Sequence, residues 1–377
     1  MSARILLACY EVPGYGGAST ASYRLFEQMQ RDGLDVQYLN LIDEEDACYF
    51  RYRFGDAVGN PRGLENVSNC ILTETLFAPH PALADTVEAI DPAVIVADDY
   101  IATLLMKRAA PERRVIFMTA GMAQVVAYLA RRRARGRFTI DELLTAARGG
   151  LTVFHARERE AMEVADLIVT HSDLIDELTR ALFPLQQGKV YSRIIWRAEW
   201  ITADAVPYAA LGRPFSERDI DVIFAASSWA RPEKNGALMR RIVSRCRGLN
   251  VHVVGELERA PRGAHCHGLL TDREALFALL GRSRVLVSPS RFDPAPGILW
   301  EASVMGCNVV ASLACGNWRL CHTSLLAEPD QLDDYMRKIG VAVEAELPDN
   351  MRFFLESGSY RDLVETIETV ASMGSSR

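Results

Sequence analysis

Ser288-Pro289-Ser290-Arg291-Phe292-Asp293-Pro294-Ala295-Pro296-Gly297-Ile298-Leu299-Trp300-Glu301-Ala302, continued by Met305-Gly306-Cys307-Asn308-Val309-Val310-Ala311-Ser312, is the stretch on which the reading of this chain turns. The run before it, Arg284-Val285-Leu286-Val287, is apolar, as in a parallel strand buried on both faces. Pro289 and the Asp-Pro-Ala-Pro-Gly segment then break the strand into a turn. Residues 298–305 carry the apolar spacing of a helix, Gly306 ends it, and residues 308–311 are the next strand. Asp293 begins the loop, and Glu301, eight positions later, is expected to lie about two turns below it, facing the same crevice. In an open α/β sheet the loop leaving a strand and the helix N-terminus after it are where a ligand lies. Such a terminus favours anions, while a carboxylate placed there takes neutral hydroxyls, such as those of a sugar or ribose.

Upstream, residues 221–226 read as a strand, residues 237–246 as a helix, 251–255 as a strand and 271–280 as a helix. Between the first strand and its helix stands Ser227-Ser228-Trp229-Ala230-Arg231-Pro232-Glu233-Lys234-Asn235-Gly236. Arg231 and Lys234 there add their charge to a helix dipole, which suits a diphosphate leaving group. Lys234 is conspicuous because lysine otherwise occurs only at 107, 189 and 338.

The first half shows the same alternation. Residues 4–10 are a strand leading into Pro13-Gly14-Tyr15-Gly16-Gly17-Ala18-Ser19-Thr20, an amphipathic helix follows, and residues 35–39 are a second strand, a βαβ unit. Its glycines let backbone amides approach a phosphate at the helix start. The G-x-G-x-x-G order of dinucleotide folds is absent. Residues 43–75 read as irregular, and the aromatic-basic patch 48–54 is either an acceptor-binding flap or a loop covering core. Residues 79–90 are a helix. Strands at 93–97, 114–118 and 166–170 end at Asp98-Asp99-Tyr100, Thr119-Ala120-Gly121 and His171-Ser172-Asp173. The whole predicts α/β architecture with doubly wound parallel sheets. The polar, Pro- and Gly-containing residues 207–219 are the best linker, dividing an N-terminal domain (1–206) from a C-terminal one (220–355), with a last helix in 356–377.

With 377 residues, 49% hydrophobic and 24% charged, the chain suits two folded domains. A net charge of −7 argues against broad nucleic-acid binding. Eight cysteines without a C-x-x-C pair read as reduced and intracellular, and no apolar run reaches the ~20 residues of a membrane span. The expectation is a cytoplasmic protein, and no feature sets an oligomeric state. The basic run Arg131–Arg137 reads as a solvated helix end or as a contact for an anionic acceptor or the inner face of a membrane. His265-Cys266-His267 and Cys315 to His322 lack a second cluster at zinc spacing and read as a strand edge and a core loop. No metal is expected.

The organising stretch resembles the E-x7-E element of retaining glycosyltransferases of the GT-B fold, in particular glycosyltransferase family 4, with Asp293 and Glu301 as the two acids. Residues 306–312 are similar to that family's G-x-P-V-V-A-S strand, and residues 231–236 to its G-R-L-x-x-E-K-G segment. The resemblance spans both halves and is strongest over 221–312. It implies two Rossmann-like domains facing a central cleft, with the last helix crossing back onto the first domain. It implies retaining, metal-independent transfer of a hexose from a UDP- or GDP-type nucleotide-sugar to a small-molecule, glycan or lipid-linked acceptor, with no cofactor beyond the donor. Asp293 would hold the sugar and Glu301 the ribose. Lys234 and Arg231 would hold the diphosphate, and Gly16, Gly17, Ser228, Gly297, Ile298 and Leu299 would line the donor site. In the front-face scheme suggested for this family, the departing phosphate takes the acceptor proton.

There are departures. With the lysines matched, Trp229 falls where the family has Arg, so Arg231 must reach in from a shifted position. The family's histidine after the 114–118 strand is missing; Thr119 and the Gly121 amide replace it, or Asp98 or Asp99 meets the acceptor. His171 follows a later strand and reads as a core-edge residue. Cys315-Gly316-Asn317-Trp318-Arg319 keeps a glycine of the family's G-G-x-x-E turn but not its acid. Two other functions share the fold: a sugar-nucleotide epimerase, and a sugar-nucleotide-binding subunit without activity. A phosphorylase is disfavoured, because Lys338 has no strand-loop context for pyridoxal phosphate.

Overall fold

The computed structural model describes residues 3–10, 17–43, 64–72, 81–119, 122–131, 141–142, 145, 152–192, 206–270, 272–316, 318, 321–347 and 360–373. In the first half the elements are β1 (Ile5–Cys9), α1 (Gly17–Arg31), β2 (Val36–Asp43), β3 (Val67–Leu72), α2 (Pro81–Ile90), β4 (Val94–Asp98), α3 (Tyr100–Ala109), β5 (Arg114–Thr119), α4 (Ala123–Arg131), α5 (Thr152–Val164), β6 (Leu167–Thr170), α6 (Asp173–Leu182) and β7 (Val190–Ser192). They form a seven-stranded sheet, β3-β2-β1-β4-β5-β6-β7, in which every pairing is parallel. The second half holds β8 (Ile220–Ser228), α7 (Gly236–Arg245), β9 (Val251–Glu256), β10 (His265–Cys266), α8 (Arg273–Gly281), β11 (Ser283–Ser288), α9 (Gly297–Val304), β12 (Asn308–Ser312), β13 (Leu326–Ala327) and α10 (Leu332–Glu344). Its sheet runs β10-β9-β8-β11-β12-β13, again all parallel. The last helix is α11 (Tyr360–Ser372).

The strands are apolar on both faces because helices cover both. Val285 and Val287 of β11 join the buried cluster under α7 and α10, while Leu286 between them joins the one under α8 and α9. The doubly wound parallel architecture expected from the alternation is therefore the one observed. One reading needs correction: residues 43–75 are not wholly irregular, since β3 pairs along β2 from Tyr38↔Val67 to Asp43↔Leu72. Ser68 and Asn69 broke the apolar pattern, and the structure explains the asparagine. Asn69 Oδ1 accepts a 3.1 Å bond from Asn40 Nδ2, and Asn40 is fully buried.

Two features tie the halves together. Leu363, Ile367, Val370 and Ala371, one stripe of α11 at helical spacing, belong to the buried cluster of Ile5, Leu25, Phe26 and Val94, so the end of the chain completes the first sheet's core. Phe292, between β11 and α9, is fully buried in the cluster of Leu104, Phe117, Met122 and Val125. The segment 207–219, read as a linker, is docked on the second sheet. Tyr208 stacks on Phe277 at 4.8 Å between ring centroids. The Arg218 guanidinium is buried and donates to the carbonyls of Arg213, Ser283 and Met305 at 2.9, 2.7 and 2.8 Å. Among the described residues no helix is long and apolar enough to cross a membrane.

Candidate functional site

The strand order of the second sheet reverses between β8 and β11, so the loops after these two strands flank the place where an open α/β sheet binds its ligand. The β8 loop is shaped by its tryptophan. Trp229 is buried, its indole donates to the Val254 carbonyl at 2.9 Å, and its amide donates to the Glu256 carbonyl at 2.9 Å. The ring is thus a core anchor. Asn235 takes the left-handed conformation (φ 59°), and its side-chain oxygen caps α7 at Leu238. Its amide donates to the Pro289 carbonyl at 3.1 Å and to Asp330 Oδ1 at 2.9 Å. The Arg291 amide donates to the Glu233 carbonyl at 2.7 Å, and the Arg291 guanidinium pairs with Asp330 at 3.0 Å. These bonds staple the β8 loop to the β11 loop.

The staple brings Lys234 Nζ to 2.5 Å from Asp293 Oδ2, with the two side chains 18% and 9% exposed. The Asp293 backbone is held too, its amide donating to the Ala314 carbonyl and its carbonyl accepting from Gly316. Gly316 must be glycine: a Cβ there would collide with the Pro294 carbonyl and with Ser172 Oγ of the first domain. Ser172 itself caps α6. Glu301 is buried on α9, where its Oε1 meets Arg273 Nη1 at 3.2 Å. Pro296 precedes α9 with no side-chain cap, so the positive end of the helix dipole lies at the turn of Gly297, Ile298 and Leu299. Ser228 closes β8, half-buried, beside the Ala230 amide.

Arg231 stands differently. Its Nε bonds Glu233 Oε1 at 2.5 Å, its side chain is half-exposed, and it lines a cavity of about 200 Å³ with Asn235, Arg240, Glu258 and Arg291. Lys234 is not a lining residue of that cavity. Of the groups expected at the donor, then, Lys234 and Asp293 touch, Glu301 stands on the adjacent helix with a different partner, and Arg231 is turned toward Glu233.

On the first domain, Asp98 is buried at the end of β4 and accepts a short hydrogen bond from Ser22 Oγ. Asp99, at φ 82°, caps α3 through a 2.8 Å bond from the Ala102 amide. Thr119 is buried at the end of β5, donating to the Val169 carbonyl at 3.3 Å. His171 is buried just past β6. Gly17 opens α1; Gly16, Gly121, residues 48–54 and residues 132–137 lie outside the described residues. His265-Cys266 forms the edge strand β10, and His267 Nε2 sits 2.9 Å from His252 Nδ1. Burial and the neighbouring imidazole push the His252 ring down to about 4, so the pair stays neutral near pH 7.

Sequence reasoning missed Glu158. It is buried on α5 and accepts from the Ala123 amide at 2.5 Å and from Gln124 Nε2 at 2.8 Å, holding the start of α4. Burial raises its carboxyl from 4.5 to about 7, although the hydrogen bonds oppose this. Its position with Ala161, Met162 and Ala165 on the buried stripe was the available sign, a charge on an apolar face. Arg273 was missed as well; nothing in its neighbourhood marks it as the partner of an acid 28 positions away.

No family model matches the chain, and no curated protein matches it. Solved structures do. HepE from Anabaena, in complex with UDP, superimposes with a TM-score of 0.64 at 12% identity, over 98% of this chain and 100% of that one. Sucrose-phosphate synthase from Thermosynechococcus elongatus gives 0.64 at 15%, over 98% and 97%. A glycosyltransferase from Rickettsia africae gives 0.63 at 10%, over 98% and 99%. The likeness is one of fold, the two-domain GT-B architecture.

Proposed function

We propose that this chain is a retaining glycosyltransferase that moves a hexose from a nucleotide-sugar, of UDP or GDP type, to a small-molecule, glycan or lipid-linked acceptor. The observation that carries the reading is the Lys234–Asp293 pair at the β8/β11 switch point, with Glu301 on the next helix. A cation for the diphosphate, a carboxylate for sugar hydroxyls and a second for the ribose are the three contacts that a nucleotide-sugar needs. HepE, a structural neighbour, has been seen with UDP and with UDP-glucose, which supports a uridine donor.

In this reading the diphosphate lies across Lys234 and the N-terminal turn at Gly297, Ile298 and Leu299, near Ser228, and the start of α1 at Gly17 meets it from the first domain. Arg231 joins it by leaving Glu233. As the glycosidic bond breaks, negative charge grows on the leaving phosphate, and Lys234 stabilises that charge in a crevice where water screens it little. Asp293 holds the sugar. The acceptor approaches from the first-domain strand ends at Asp98, Asp99 and Thr119, and the departing phosphate takes its proton. Neither a metal nor a cofactor takes part.

The test is turnover with a panel of UDP- and GDP-hexoses, followed by NMR of the product. The expected result is acceptor-dependent release of nucleoside diphosphate and a product that keeps the donor's anomeric configuration. The opposite anomer would overturn the retaining assignment and move the search for a base to Asp98 and Asp99. Nucleotide-sugar binding without turnover on any acceptor would favour a binding subunit.

A further inference from the structure

The Lys234 ammonium is already paired with a carboxylate, because Asp293 Oδ2 lies 2.5 Å from it and both side chains are largely removed from solvent. The Asp293 backbone is held by its bonds to Ala314 and Gly316, and the loop that carries Lys234 by the staple through Asn235. A ligand phosphate that approaches Lys234 therefore meets a carboxylate beside it.

The charge on that phosphate differs between substrate and product. In a nucleotide-sugar the second phosphate is a diester with one negative charge, and the hexose it bears has hydroxyls that give Asp293 hydrogen-bond donors. In the free nucleoside diphosphate the same phosphate is terminal and gains most of a second charge near pH 7, with nothing to offer the carboxylate. Like charges brought together in a poorly solvated site repel strongly, and such juxtapositions set specificity.

We infer that Asp293 is a specificity-determining residue that discriminates against the free nucleoside diphosphate, weakening its hold on Lys234 and so speeding product release. This rests on the reading of the crevice as a nucleotide-sugar site. Asp293 both engages the sugar when it is present and repels the terminal phosphate once the sugar has gone.

The experiment is calorimetric titration of UDP and GDP, and of the corresponding UDP- and GDP-hexoses, into the full chain and into Asp293→Asn, Lys234→Met and the double variant. Asparagine keeps the shape and removes the charge, and the double variant, which has lost both charges, covers the case in which a lone Lys234 destabilises the single variant. Asp293→Asn is expected to bind the nucleoside diphosphate about tenfold more tightly or better, with no such gain for the nucleotide-sugar. The double variant should likewise bind the diphosphate more tightly than Lys234→Met does, because the repulsion is between Asp293 and the terminal phosphate. If both proteins bind the diphosphate and Asp293→Asn binds it equally or more weakly, the inference is overturned while the donor site stands. If Asp293→Asn does not fold, the comparison passes to Lys234→Met against the double variant: tighter diphosphate binding by the double variant supports the inference, and equal or weaker binding overturns it. If no protein binds any of these nucleotides, the donor-site reading falls and the inference with it.

Discussion

Glu158 offers the sharpest physical test of the first domain. Its carboxylate is buried, and its carboxyl titrates at about 7 in the folded chain against 4.5 ordinarily, chiefly because burial disfavours the charge. A raised folded value means that the protonated form is the one folding favours. The associated stability is complete below 4.5 and is lost as pH rises through about 7. At about 1.4 kcal/mol per pH unit, the loss between those limits is about 3 kcal/mol. Glu158→Gln removes the titration, at a fixed cost for rearranging the bonds to Ala123 and Gln124. Urea unfolding of both proteins between pH 4.5 and 8 measures the difference. The variant should gain about 3 kcal/mol on the natural chain across that range. His155, which bonds Gln124 and whose protonation is disfavoured by burial and by Arg159, acts in the opposite sense at lower pH. It is present in both proteins and cancels in the difference. Parallel stability curves would refute the argument and show that the carboxyl is solvated in the folded state.

Lys234→Ala should lower transfer by ~10²–10³ while weakening ground-state donor binding less, because the charge it faces grows during the step; single-turnover rates and donor titration separate the two, and turnover above half the natural rate would place the diphosphate elsewhere. Glu301→Ala should act mainly on donor affinity, as it removes the expected ribose contact and leaves Arg273 without its carboxylate; unchanged affinity by titration would remove α9 from the site. Gly306→Ala should destabilise the second domain by ~1–3 kcal/mol, since Gly306 has φ 78° and a Cβ there would lie 2.6 Å from Arg218 Nη2; a thermal melt of the variant checks it.

The central strands were legible because a parallel strand covered on both faces is apolar throughout, as Val285 to Val287 and Val309 to Ala311 are. The edge strand β3 was not, because one neighbour suffices to place it and its Asn69 serves a polar partner. In the site, Lys234 and the two acids were visible from their places between strand and helix. What the sequence hid was pairing. That Asp293 takes Lys234 while Glu301 takes Arg273 depends on contacts between loops far apart in the chain, and no local period encodes them. Arg231 illustrates the same limit, since its motif position looks favourable but the buried Glu233 two residues on captures it.

The packing of α11 has a consequence for how the protein is made. The first domain's core includes Leu363, Ile367, Val370 and Ala371, and these leave the ribosome only after the whole second domain has been synthesised. Domains fold largely as units during synthesis, amino-terminal first. Here the part of the amino-terminal unit's core that α11 covers, against β4 and β5, stays open until that helix is made. In the nascent chain, the interval before α11 is made is when the first domain most needs a chaperone.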